Sequence, residues 1–192
     1  RQLNIHMKNL AFGAAFILAG CSATPVLDSV VTAQPYLGLE ERSHRAELKE
    51  LLDVDPVRTE WCAAFVNSVL EIDGIPNLND QTKYPPLMAR SFLYWGDRVE
   101  PGDIQRGDVV VFPRGNQGWQ GHVGFYYGKT ANGKWVILGG NQANQVRYDL
   151  YNPSRAIGIR RYPINTTSPR RTLWGFNPVD LERQGENKWE DH

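Results

Sequence analysis

A chain of 192 residues with 41% hydrophobic and 22% charged side chains can bury one sizeable core, so it reads as one domain with appendages. Its 21 basic and 21 acidic side chains sum to zero, which leaves no positive surplus for phosphate and excludes nucleic acid as the expected partner. No internal repeat or low-complexity tract stands out.

In chain order, residues Arg1 to His6 precede a Met7-Lys8 start and are set aside from fold reasoning. Leu10 to Ala19 is an apolar run of ten residues behind that charge. A bilayer span needs about 20 residues, so the pattern is that of an export signal. Its end, Leu18-Ala19-Gly20-Cys21, resembles the lipobox of bacterial lipoproteins. That resemblance implies cleavage before Cys21, lipidation of Cys21 and an exported protein anchored by lipid to the periplasmic face of the cell envelope. Ser22 resembles the residue that permits outer-membrane sorting in Gram-negative cells. A plain secretory signal or a short core helix, with Cys21 an ordinary thiol, is the competing reading. If Cys21 carries lipid, Cys62 is the remaining thiol and has no intramolecular disulfide partner. In an oxidising compartment such a thiol is either buried or useful.

Residues 1–20 are thus expected to be upstream sequence and signal, 21–40 a tether, 41–163 the folded domain and 164–192 a charged tail. Arg45 to Asp53 has Leu48, Leu51 and Leu52 on one helical face. Thr59 is placed to cap a second helix running from Trp61 to Ile72 and stopped by Asp73-Gly74, with Cys62 in its first turn. A third helix is expected from Pro86 to Trp95. Five β-rich runs follow: Asp108–Pro113, His122–Gly128, Lys134–Gly140, Gln145–Tyr151 and Ala156–Tyr162, with Asn132-Gly133 marking a hairpin. Helices first and an antiparallel meander afterwards give an α+β domain.

Four histidines exist, and His122 is the one that opens an apolar strand, behind the glycine-rich "GNQGWQG". A thiol at a helix N-terminus is acidified by the backbone dipole and by a neighbouring imidazole. A cysteine heading a helix and a histidine heading a strand can meet where the two pack, giving a nucleophile and its base. A third polar group must hold the ring in one tautomer. Asn141 in "LGGNQ" is the best placed, with Gln142 and Asn144 close behind. No second His or Cys lies near His122 to complete a metal set, and no cofactor is expected.

The blocks "WCAAFVN", "GDVVVF", "GHVGFYYG" and "GGNQ" resemble, in order, the NlpC/P60–CHAP superfamily of papain-like cell-wall hydrolases, over roughly Ala46 to Arg161. The resemblance implies a papain-like fold, with N-terminal helices packed on the antiparallel sheet. It implies Cys62 as nucleophile, His122 as general base, Asn141 as the orienting residue and peptidoglycan stem peptides as substrate. Two positions depart from the pattern. No Tyr or Gln stands between Asp53 and Trp61 to help hold an oxyanion, and Gly139 occupies the place of a Glu found in many CHAP members.

The expected reaction is acyl transfer from an amide through a Cys62 thioester, with Trp61, Trp119, Gln120 and Gln142 as substrate-contacting residues. Ala63 and Ala64 either keep the cleft floor low or serve tight helix packing. Two alternatives stay open: a non-catalytic wall-binding or scaffolding lipoprotein, and a thiol acyltransferase that uses the same residues.

Overall fold

The computed structural model describes residues 28–80 and 83–163. The expected signal segment, Cys21, the first part of the tether and the C-terminal tail lie outside them.

The order is three short α-helices followed by six strands, an α+β arrangement. The helices are α1 (Ser29–Ala33), α2 (Arg45–Leu52) and α3 (Cys62–Ile72). The strands are β1 (Asp97–Arg98), β2 (Val109–Pro113), β3 (Gly121–Lys129), β4 (Trp135–Gln142), β5 (Gln145–Tyr151) and β6 (Gly158–Arg161). They form one antiparallel sheet in the order β1-β6-β2-β3-β4-β5. Thus β2 to β5 form a meander, and β6 returns to pair with β2 on its free side.

Helix α3 is apolar nearly all round, which suits a helix buried among other elements rather than lying on a surface. Cys62 to Asn67, Val69 and Leu70 are all buried, and α3 packs on β3 and β4. Full burial of a side chain such as Phe65 or Leu70 stabilises the fold by about 2 kcal/mol relative to exposure. The helix stops as its sequence predicts. Gly74 takes a φ of 68°, the Ile75 N–H donates to the Leu70 carbonyl and the Gly74 N–H to the Glu71 carbonyl. That pair of bonds satisfies the last carbonyls of the helix. Its start differs from expectation. Trp61 is the N-cap and no side chain caps the helix, so Thr59 does not serve there.

Strand β2 reads as a continuous apolar run because both its faces are covered. Val109 and Val111 join the core under the helices, while Val110 and Phe112 join a second cluster with Tyr126, Ile137 and Ile159. Asp108, just before β2, accepts from the Gln105 N–H at 2.7 Å and from Arg161 Nε and Nη2 at 2.6 and 2.8 Å. The sequence places Asp108 at the head of this β-rich run; the clamp onto β6 appears only in the fold.

Two expectations change. The tether does not extend to residue 40. Val30 and Ala33 of α1 are fully buried, and Ser29 and Thr32 donate hydroxyl bonds to Asp73 at the end of α3. The folded unit therefore includes Asp28 onward. The third helix is a 3-10 segment, Ala89–Tyr94, whose preceding residues are tied to α3 by Asn67. Asn67 Nδ2 donates to the Pro86 carbonyl at 2.9 Å and Oδ1 accepts the Leu78 N–H at 3.1 Å.

Candidate active site

Cys62 opens α3 and is only 3% exposed. Helix α3 packs on β3, and Cys62 shares a core cluster with Val123, one residue beyond His122. The site therefore brings the sequence-predicted nucleophile to the strand that carries the predicted base. Burial pushes the thiol pKa up; the backbone N–H groups of Val123 and Ala63 and the Arg114 charge pull against this, and Glu60 adds to it.

His122 is 5% exposed, and burial drives its pKa down to about 4 despite the hydrogen bond it donates to Gln142. The ring Nε2 lies 3.1 Å from Gln142 Oε1. The orientation of that amide is fixed by its other partners. Gln142 Nε2 donates to the carbonyls of Ile137 and Arg147, and Tyr151 Oη donates to Oε1 at 3.0 Å. Oε1 is an acceptor only, so the neutral ring must carry its proton on Nε2. Nδ1 is left as the basic nitrogen. The Tyr151 ring also stacks on the imidazole, with centroids 5.7 Å apart and planes 8° from parallel. Burial raises the Tyr151 pKa to about 12, which keeps its hydroxyl protonated and donating.

The orienting residue is therefore Gln142 and not Asn141. Regular alternation from Gly139 would bring residue 141 to the imidazole face. A bulge intervenes: Gly139 pairs with Arg147 and Gln142 with Gln145, leaving one extra residue on β4. Asn141 absorbs it with a φ of 56°, and its Nδ2 donates to Glu60 Oε2 at 2.8 Å. Gly139 makes this possible, since a Cβ there would sit 3.3 Å from the Gln142 amide carbon and 3.4 Å from His122 Nε2. Asn144, the other residue weighed for this role, has a φ of 63° in the two-residue turn beyond Gln142.

A cleft of about 300 Å³ reaches Cys62, lined also by Glu60, Leu87, Met88, Ala89, Arg114, Gly115, Trp119, Gln120 and Gly121. Trp119 stands on it 61% exposed, and Gln120 lies beside it. Two of the expected substrate contacts do not reach the cleft. Trp61 is fully buried, with Nε1 3.4 Å from Glu41 Oε2, and packs where a Cβ on Gly140 would touch its ring at 2.5 Å. Gln142 is 3% exposed and committed to His122. Ala63 and Ala64 belong to the core rather than to the cleft lining.

Tyr151, Glu60 and Arg114 went unnoticed in the sequence. The alternating "QVRYDLY" placed Tyr151 in a strand, and only the three-dimensional pairing shows which ring it meets. Among the described residues no group of three or more His, Cys, Asp or Glu side chains is arranged to hold a metal.

No protein-family model matches this sequence, and no curated protein matches it. Among solved structures, the chain is similar to the crystal structure of an NlpC/P60 family protein from Bacillus cereus ATCC 10987, at 19% identity and a TM-score of 0.47. The match covers 72% of this chain and 40% of that one, so this protein spans less than half of that neighbour's length.

Proposed function

We propose that this protein is a thiol hydrolase that cleaves an amide bond of peptidoglycan stem peptides through a Cys62 acyl-enzyme. The observation that carries the reading is the single tautomer that Gln142 favours on His122, on the strand that packs against a helix headed by Cys62 at a cleft. The four sequence blocks that resemble cell-wall hydrolases supply the substrate class.

Burial of both partners favours an uncharged resting pair, thiol and neutral imidazole. In the first step Cys62 gives its proton to His122 Nδ1 as the sulfur adds to the amide carbonyl. The backbone N–H of Cys62, in the first turn where no helical carbonyl reaches it, supports the developing oxyanion. The C–N bond then breaks and the imidazolium returns the proton to the leaving amine. Water, deprotonated by His122, adds to the thioester, and collapse releases a carboxylic acid and regenerates the thiol. The Gln142 carbonyl accepts the Nε2–H hydrogen bond throughout and stabilises the imidazolium with a dipole rather than a charge.

The proposal extends to location: export and lipidation at Cys21, anchoring the domain to the envelope where the wall is the neighbouring polymer. Purified peptidoglycan digested with wild type, Cys62→Ala and His122→Ala, followed by mass analysis of the fragments, tests the reaction. Cleavage by wild type alone supports it. Fragments unchanged by wild type across substrates and pH favour a wall-binding role, and a new amide in place of a free acid identifies an acyltransferase. Metabolic labelling with a fatty acid, compared between wild type and Cys21→Ser, tests the anchor.

A further inference from the structure

Leu87, Met88, Ala89 and Trp119 give the cleft beside Cys62 an apolar lining, but Glu60 and Arg114 bring opposite charges to it. Glu60 Oε2 accepts from Arg114 Nη1 at 2.9 Å and from the buried Asn141 amide at 2.8 Å. Asn141, displaced from the imidazole by the bulge, thus holds the carboxylate that holds the guanidinium. Among the described residues no other hydrogen bond engages Arg114, so its Nε–Nη2 edge is uncommitted, and its side chain is 44% exposed. With Glu60 75% exposed, the pair is too wet to add much to stability. Its position has consequences all the same. The Arg114 charge acts on Cys62, His122 and Tyr151 alike. Arg114 and Cys62 line the same cleft, so a substrate seated at the thiol passes the guanidinium.

We propose that Arg114 is an anion subsite of this cleft, taking a free carboxylate of the peptide substrate on its Nε–Nη2 edge while Glu60 fixes the guanidinium through Nη1. The guanidinium fork matches a carboxylate with two parallel bonds, which an ammonium cannot do. Glu60 has a second effect. It offsets the cation when the cleft is empty, so the subsite binds a carboxylate less tightly than a bare arginine would. This proposal rests on reading the cleft as the substrate site of a thiol hydrolase, and it specifies a chemical feature of that substrate.

The test is binding, independent of turnover. Cys62→Ala protein is titrated calorimetrically with a synthetic stem tetrapeptide and with versions in which each carboxyl is converted in turn to the carboxamide. One amidation is expected to weaken binding by about tenfold, the worth of a charge-assisted pair. Adding Arg114→Gln should bring the acid form down to the affinity of that amide, with the thermal midpoint unchanged. Adding Glu60→Gln, which keeps an acceptor for Asn141, should tighten the acid form. Arg114→Lys should recover only part of the discrimination. Equal affinity for acid and amide forms, no binding by any of them, or discrimination that survives Arg114→Gln overturns the subsite. Wild-type digestion of the same peptides separates the two readings. Cleavage of acid and amide forms at equal rates sinks the subsite and leaves the hydrolase, whereas Arg114-dependent binding without any cleavage does the reverse.

Discussion

Gln142 Oε1 accepts a hydrogen bond from His122 Nε2 at 3.1 Å, while its neighbour Asn141 turns away to Glu60 at 2.8 Å. The two adjacent amides serve different partners because one extra residue on β4 reverses which of them faces the imidazole. Substitutions should therefore separate them. Gln142→Ala frees the ring to take either tautomer and is expected to lower kcat by about a hundredfold, within the range of a lost acid–base contribution. It also strips partners from Tyr151 and His122, costing about 1–3 kcal/mol of stability. Asn141→Ala should keep kcat within a few-fold and lose about 1 kcal/mol for alanine at positive φ. Steady-state kinetics with urea titrations on both variants checks the contrast, and equal losses of kcat would contradict the assignment.

Stability should depend on pH through His122. Its folded pKa, about 4, lies below the ordinary value of 6.5, so between these values the unfolded chain takes up the proton and the folded chain does not. The contribution is fully present above pH 6.5 and falls as pH drops toward 4, by about 3 kcal/mol at the limit. His122→Asn removes the titrating group. Urea midpoints measured at pH 7 and pH 4.5 should converge for that variant relative to wild type, after carboxylate titration common to both is subtracted.

What the sequence disclosed and what it hid follow a pattern. Helix α3 and strands β2 to β5 were legible because apolar period and glycine or asparagine breaks are local signals, and Cys62 and His122 stand near the starts of a helix and a strand that pack together. The bulge at Asn141 was not legible, because it depends on pairing with β5, and a one-residue slip moves a side chain to the opposite face. Trp61 was misplaced for a related reason. Its position beside Cys62 suggested the cleft, but successive helical residues point about 100° apart, and Trp61 points to the core against Gly140. Helix α1 was hidden in a weakly patterned segment, since its burial rests on the two side chains Val30 and Ala33 and on hydroxyls meeting Asp73 across 41 and 44 positions.

Gly140 sets how closely α3 approaches β4. A Cβ there would lie 2.5 Å from Trp61 Cζ3 and 2.6 Å from Phe65 Cβ, both in fully buried side chains. Gly140→Ala should cost about 1–3 kcal/mol by overpacking. Because Cys62 rides on the displaced helix, activity should fall more steeply than stability. Thermal unfolding and kcat/KM measured together test this, and an unchanged midpoint would show that α3 can shift freely.

Asp108 is 2% exposed and joins the start of β2 to the end of β6 through Arg161. Its carboxylate also receives the Gln105 N–H, so three donors lose their acceptor in Asp108→Ala. A loss of about 3 kcal/mol is expected, at the lower edge for breaking a buried pair because Arg161 is partly in water. Asp108→Asn keeps an acceptor for Gln105 and should lose less. Urea denaturation gives both values, and equal losses would mean the Gln105 bond carries little of the effect.

The resting thiol offers a direct probe of the neutral pair. Burial raises the Cys62 pKa above the ordinary thiol value, and burial likewise keeps His122 uncharged above pH 4. A thiolate–imidazolium pair would react with iodoacetamide at a rate flat from mildly acidic pH upward, because the thiolate would already be formed. The buried neutral pair should instead alkylate slowly at pH 7, with a rate that climbs through the alkaline range. Arg114→Gln removes a charge that lowers the thiol pKa and should move that climb to higher pH, whereas Glu60→Gln removes one that raises it and should move it lower. Alkylation rates for the three proteins between pH 5 and 10, followed by mass spectrometry of the Cys62 peptide, decide between the two states. A plateau already reached by pH 6 would mean that the pair is charged at rest and that the thiol needs no substrate to be activated.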